Sequence, residues 1–152
     1  MGVEVEKRKT VRIKRFDKSL PMPEFKTPGA AAFDLAARET VTIKSKQIGY
    51  VSLNVAIEVP KDCFIILAAR SSTHKMGLTP GNGIGVIDSD YCGDNDEYHF
   101  CVHNFTDSDV VVEKGTRVAQ CVVLKKLNVE LEEVGKLGNP DRGGFGTTGK
   151  MS

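Results

Sequence analysis

Leu53-Asn54-Val55-Ala56-Ile57-Glu58-Val59 puts an apolar side chain at every odd position, the period of two that turns alternate residues toward one face of a strand. The same rhythm recurs upstream in Val11-Arg12-Ile13-Lys14 and Val41-Thr42-Ile43, and downstream in Phe100-Cys101-Val102-His103. Turn-forming residues punctuate these runs: Pro21, Pro23, Pro28-Gly29, Pro60, Pro80-Gly81-Asn82-Gly83, Gly93 and Lys114-Gly115. Short half-buried strands joined by tight turns predict an all-β sandwich or barrel. Only Ser71 to Leu78 has room for a helical turn, because no other stretch keeps a 3.6-residue apolar rhythm over the ~10 residues a stable helix needs.

The chain has 152 residues, enough for one core and not for two. Residues 1–136 read as the folded domain and residues 137–152 as a flexible glycine-rich arm with too little apolar material to hold itself in place. Lys plus Arg number 21 against 20 Asp plus Glu, so no overall field draws the chain to nucleic acid or to a membrane, and any phosphate site must be local. The basic start, Lys7-Arg8-Lys9 with Arg12, Lys14 and Arg15, alternates with Val11 and Ile13 and reads as a strand with a solvated face. Cys63, Cys92, Cys101 and Cys121 form no Cys-x-x-Cys pair, and no 18-residue apolar run, signal peptide or myristoylation motif appears. These features predict a reduced, cytoplasmic setting. His74, His99 and His103 share no tetrahedral metal spacing with the cysteines, so no zinc site is expected.

Chemistry concentrates in Gly81-Asn82-Gly83-Ile84-Gly85-Val86-Ile87-Asp88-Ser89-Asp90-Tyr91, where three close glycines precede an apolar pair, a carboxylate and an aromatic ring. Such a hairpin lets a flat ligand lie against bare backbone. Its amides and carbonyls can pair with a base edge, and each group left unpaired by a wrong base costs roughly 1–3 kcal/mol. Arg70-Ser71-Ser72 leaves the apolar run Phe64 to Ala69 and offers a guanidinium and two hydroxyls as a phosphate grip. Near the end, Gly144-Phe145-Gly146-Thr147-Thr148-Gly149-Lys150 has the spacing of a phosphate-binding loop. That loop needs Ser or Thr after the lysine and a helix beyond, and Met151 and Ser152 supply neither. Cys92-Gly93-Asp94-Asn95-Asp96-Glu97 reads as a solvated acidic turn.

With Pro28-Gly29-Ala30-Ala31-Ala32-Phe33-Asp34-Leu35 and Gly115-Thr116-Arg117-Val118-Ala119-Gln120, these segments resemble, in order, the five motifs of the homotrimeric dUTP pyrophosphatase (dUTP diphosphatase) family. The resemblance spans about residues 28 to 149. It implies a distorted β jelly roll, a homotrimer with composite active sites, and hydrolysis of dUTP to dUMP and pyrophosphate with Mg²⁺. That reaction keeps uracil out of DNA and supplies dUMP for thymidylate synthesis. In this reading Asp88 orients and deprotonates the attacking water. Asn82, Gly85, Val86 and Ile87 frame the uracil, and Tyr91 lies under the deoxyribose where a 2′-hydroxyl would clash. Arg70, Ser71, Ser72 and Gln120 meet the phosphates, and Asp34 touches the metal through water. Phe145 stacks on the base, while Arg142, Gly146, Thr147 and Thr148 wrap the phosphates as the arm closes.

Two departures stand out. Ser72 replaces a usual glycine, and Arg142 directly precedes Gly143-Gly144-Phe145-Gly146, whereas the family commonly spaces its arginine two residues before Gly-Gly-Phe-Gly. Two other functions share the pattern. A dCTP deaminase-related enzyme also favours Arg-Ser-Ser, but its catalytic glutamate, three residues before an asparagine, is here Cys101 before Asn104. A non-catalytic, nucleotide-gated binding protein is the other alternative.

Overall fold

The computed structural model describes residues 7–146. Its strands are β1 Arg12–Arg15, β2 Phe33–Ala36, β3 Val41–Ile43, β4 Ile48–Ser52, β5 Val55–Glu58, β6 Cys63–Ala69, β7 Leu78–Pro80, β8 Gly85–Ile87, β9 His99–Asn104, β10 Val110–Val112 and β11 Arg117–Lys125. The expected helical turn is a single 3₁₀ turn, Thr73–Met76, closed by Gly77 at φ 86°. The fold is an all-β jelly roll. Every pairing is antiparallel: β2-β11-β6-β8 form one sheet, β4-β9-β7 a second, and β1-β5 and β10-β3 two ribbons.

The alternating stretches occupy β1, β3, β5 and β9, as the period of two requires. The all-apolar β6 keeps the alternation in its burial: Cys63, Ile65 and Leu67 are buried while Phe64, Ile66 and Ala68 are half-buried on the other face. In β5 the alternation breaks at Ala56, which is buried together with Val55 and Ile57. Ile65, Val51, Val102, Val112 and Val118 are fully buried at the core centre. Truncating Ile65 to alanine costs about 2–5 kcal/mol.

Among the described residues the last strand ends at Lys125; beyond it Leu127, Leu131 and Leu137 are more than 80 % exposed. Part of the basic start is paired within the chain: Lys9 with Asp62 at 2.6 Å and Arg12 with Glu58 at 3.0 Å, while Lys14 donates to the Asp94 carbonyl at 2.6 Å. The four cysteines are unpaired thiols. No helix among the described residues is long and apolar enough to cross a membrane.

The acidic turn corrects the expectation of full solvation. Asp94 is exposed, but Asp96 accepts the Gly93 N–H at 2.8 Å, and Glu97 is buried at 6 % exposure. Its carboxylate accepts from Arg38 Nη2 at 2.9 Å and from the Asn54 N–H at 3.0 Å. Arg38 lies far away in sequence, so the acid-rich local composition concealed its partner.

Candidate active site

The predicted residues fall into two clusters at opposite ends of β6. The first lies where β6 ends and β2 and β11 run beside it. Gln120 stands opposite Asp34 across the β2–β11 pairing, so the two side chains share a face. The register then skips between Arg117 and Ala119. This bulge places Arg117 opposite Ala36, two residues from Asp34 and on the same face; without it, Arg117 would lie opposite Ala37 and turn to the other face.

Asp34 Oδ2 consequently meets two guanidiniums, Arg70 Nε at 3.1 Å and Arg117 Nη1 at 3.4 Å. Arg70 Nη1 also donates to the Arg117 carbonyl at 3.1 Å. The Arg70 backbone is fixed by Thr73, whose buried hydroxyl accepts the Arg70 N–H at 2.9 Å and donates to the Val118 carbonyl at 2.9 Å. Gln120 Nε2 donates to the Ala69 carbonyl at 2.9 Å. The cluster therefore carries two cations to one anion, with its side chains already oriented. Each guanidinium has five N–H donors, more than these contacts use, so an anion can still be gripped. Ser71 is exposed beside the cluster, and Ser72 begins the 3₁₀ turn without a side-chain cap.

Arg117 and Thr73 carried no individual role in the sequence reading. Arg117 sits three residues before Gln120, and normal alternation sends such a residue to the opposite face. Only the bulge reverses that.

The second cluster is the hairpin. Asn82 occupies the turn after β7, Gly83 sits at φ 79°, and Gly85, Val86 and Ile87 form β8. A left-handed φ of that size makes glycine the natural residue at 83. Gly85 packs so closely on β6 that a Cβ there would stand 3.1 Å from Leu67 Cβ. Val86 and Ile84 are 62 % and 52 % exposed, so the apolar rim faces outward. Asp88 is exposed just past β8, beside Phe64, Ser89, Asp90 and Lys126. Tyr91 is 41 % exposed, and its hydroxyl donates to the Glu97 carbonyl at 3.0 Å. Burial, then the nearby Asp96 and Glu97, raise its pKa above the usual phenol value and keep that donor protonated.

The clusters are well separated. β8 runs antiparallel to β6 with Ile87 opposite Ile65, so Asp88 lies near Phe64, while Arg70 follows the far end of the strand. Six residues of β-strand separate Phe64 from Arg70, about 20 Å at roughly 3.3 Å per residue. Of the arm residues, Arg142 is exposed, Phe145 is fully exposed at φ 51°, and Gly146 has φ 84°. Thr147 and Thr148 lie outside the described residues. Among the described residues, no grouping of three His, Cys, Asp or Glu could hold a metal ion.

Comparison with known proteins matches residues 18–149 to the dUTPase family. A similar relative is the SPbeta prophage-derived deoxyuridine 5'-triphosphate nucleotidohydrolase of Bacillus subtilis (strain 168), 43% identical over 118 residues that span 76% of this chain and 82% of the relative. The deoxyuridine 5'-triphosphate nucleotidohydrolase of Hydrogenobaculum sp. (strain Y04AAS1) is 36% identical over 141 residues, 90% of this chain and 96% of the relative. The crystal structure of dUTPase from Streptococcus mutans aligns with a TM-score of 0.71 at 30% identity, covering 78% of this chain and 98% of that one. Motif order, strand arrangement and overall similarity agree, and the chain belongs to the dUTPase family.

Proposed function

We propose that this protein hydrolyses dUTP to dUMP and pyrophosphate, removing a precursor of uracil in DNA and supplying dUMP for thymidylate synthesis. One observation carries the reading: an exposed carboxylate, Asp88, ends a glycine hairpin whose backbone is open to a base. In the proposed reaction the base lies along Asn82 to Ile87, and Tyr91 lies under the sugar. Asp88 orients a water for attack on the α-phosphorus and accepts its proton. Arg70, with Gln120 and the neighbouring Arg117, holds the phosphates and stabilises the charge that develops on them; Ser71 and Ser72 add hydroxyl donors.

The residues fit Mg²⁺ in one form. With no three-ligand cluster among the described residues, and with Asp34 Oδ2 facing two guanidiniums, the ion would be held by the triphosphate and touch Asp34 through a water. Bound so, it would draw charge from the phosphates.

One copy does not unite the two clusters, since they stand about 20 Å apart along β6. We therefore read the active enzyme as a homotrimer in which the hairpin of one copy faces the phosphate cluster of another. The exposed Leu127, Leu131 and Leu137 support association, because apolar side chains uncovered to that degree gain about 25 cal/mol per Å² when a partner covers them. Residues 137–152 then form the arm that closes over a bound nucleotide. Phe145 stacks on the base, while Arg142, Gly146, Thr147 and Thr148 reach the phosphates.

The test is pyrophosphate release from dUTP, dCTP, dTTP and UTP, with Mg²⁺ and with chelator, for wild type and Asp88→Asn. Turnover of dUTP that requires both metal and Asp88 is expected. Equal rates for the two proteins would remove Asp88 from the mechanism, and ammonia release from dCTP would favour the deaminase relative.

A further inference from the structure

Tyr91 is held by contacts that begin in the core. Glu97 is buried, and a buried carboxylate is tolerated only when its charge is paired and its oxygens are hydrogen-bonded. Arg38 provides the pairing: Nη2 donates to Oε1 at 2.9 Å and Nε lies 2.8 Å from Oε2 as a charge contact without hydrogen-bond alignment, while the Asn54 N–H donates to Oε2 at 3.0 Å. Asn54 is itself fixed: its side-chain amide donates to the Asp17 carbonyl at 3.0 Å, and its Oδ1 accepts the Asp17 N–H at 2.6 Å. The Glu97 side chain thus clamps its own backbone. That backbone offers one carbonyl to the hairpin, which accepts the Tyr91 hydroxyl at 3.0 Å, with His99 Nδ1 2.9 Å from the same oxygen. The Tyr91 ring also leans on Tyr98, centroids 6.1 Å apart at 34°.

We infer that Glu97, clamped by Arg38, is a positioning residue that fixes the Tyr91 ring and so sets how strictly the site rejects a 2′-hydroxyl. This rests on Tyr91 reading the sugar. A ring held at both its backbone and its hydroxyl tip cannot swing aside to admit a ribonucleotide. A ring released at the tip regains side-chain freedom and can make room. The consequence is specific: losing the anchor relaxes discrimination between dUTP and UTP more than it slows dUTP turnover.

The experiment measures kcat/KM for dUTP and UTP, with Tm, in wild type, Tyr91→Ala, Tyr91→Phe, Glu97→Gln and the Tyr91→Phe/Glu97→Gln double variant. Tyr91→Phe and Glu97→Gln are each expected to raise the UTP-to-dUTP ratio by about three- to tenfold, the net value of one hydrogen bond. In the Tyr91→Phe background, Glu97→Gln should add little to the ratio, because its effect passes through the missing hydroxyl. A purely structural Glu97 would lower Tm and depress both substrates alike, equally in both backgrounds, and that result would overturn the proposal. Should Glu97→Gln fail to fold, Arg38→Lys takes its place, since it keeps the cation and loses the Nη2 hydrogen bond to Glu97. An unchanged ratio in Tyr91→Ala would defeat the sugar reading itself. A relaxed ratio in Tyr91→Ala with wild-type ratios in Tyr91→Phe and Glu97→Gln would leave that reading standing and remove the anchor.

Discussion

The phosphate cluster and the hairpin are built on opposite principles. Asp34, Arg70, Arg117 and Gln120 are tied to one another or to backbone, with Asp34 shared between two guanidiniums. Along the hairpin, Ile84 and Val86 face outward and Asp88 stands exposed; only Tyr91 has a side-chain anchor. The difference follows from what each end must bind. Guanidiniums that receive a polyanion have to be oriented beforehand, or their flexibility is lost on every binding event. A backbone that reads a base must instead keep its amides and carbonyls available.

The sharpest way to break this contrast is Asp88→Asn beside Arg70→Ala. Asp88→Asn is expected to lower kcat by about 10²–10⁴-fold, the usual contribution of a general base, with Tm essentially unchanged because the group is exposed. Arg70→Ala is expected to cost about 10²–10³-fold as charge stabilisation is lost. A mixture of the two inactive proteins, denatured and refolded together, tests whether the ends meet between copies. Random assembly of composite sites leaves about a quarter intact, so roughly a quarter of wild-type activity should return. No recovery in verified mixed trimers would mean that each site draws both ends from one chain.

The fold was largely legible because alternation and turns are local. Val11–Lys14, Val41–Ile43 and Phe100–His103 all lie in or across strands, and Ser71–Leu78 holds the 3₁₀ turn. Local pattern has limits even here: Leu78 leaves that turn to open β7, pulled into the sheet by β9. The site was legible as motifs and not as geometry. Asp34 and Arg117 are 83 residues apart, and their meeting depends on a bulge that alternation does not announce. Glu97 was concealed for a similar reason, since Arg38 is 59 residues away and the local string reads as a solvated turn.

Stability gives a smaller test of the same contrast. Asp34→Asn removes the carboxylate that separates the half-buried Arg70 from the exposed Arg117. The expected loss is about 1–2 kcal/mol, between the values for exposed and buried pairs. For a domain of this size that lowers Tm by roughly 2–8 °C, measurable by calorimetry. An unchanged Tm would mean that the arginines do not depend on Asp34 for their placement. At the hairpin, Gly83→Ala strains a left-handed residue by about 1–2 kcal/mol but meets no neighbouring atom. It should raise the KM for dUTP several-fold through displacement of the turn.

The smallest effect is alkaline. Tyr91 has its pKa raised by burial and by Asp96 and Glu97, so the folded chain holds the phenolic proton more tightly than the unfolded chain. The sign follows: this contribution to stability is complete below the unfolded value near pH 10, and fades as pH rises from there through the folded value. The difference in absorbance near 295 nm between wild type and Tyr91→Phe isolates this phenol from the other two tyrosines. Ionisation above pH 10 is expected. A midpoint at or below 10 would mean that the hydroxyl is not held against the Glu97 carbonyl in solution. Tyr91 would then belong with the open part of the hairpin, and the one pre-oriented side chain at that end of β6 would be lost.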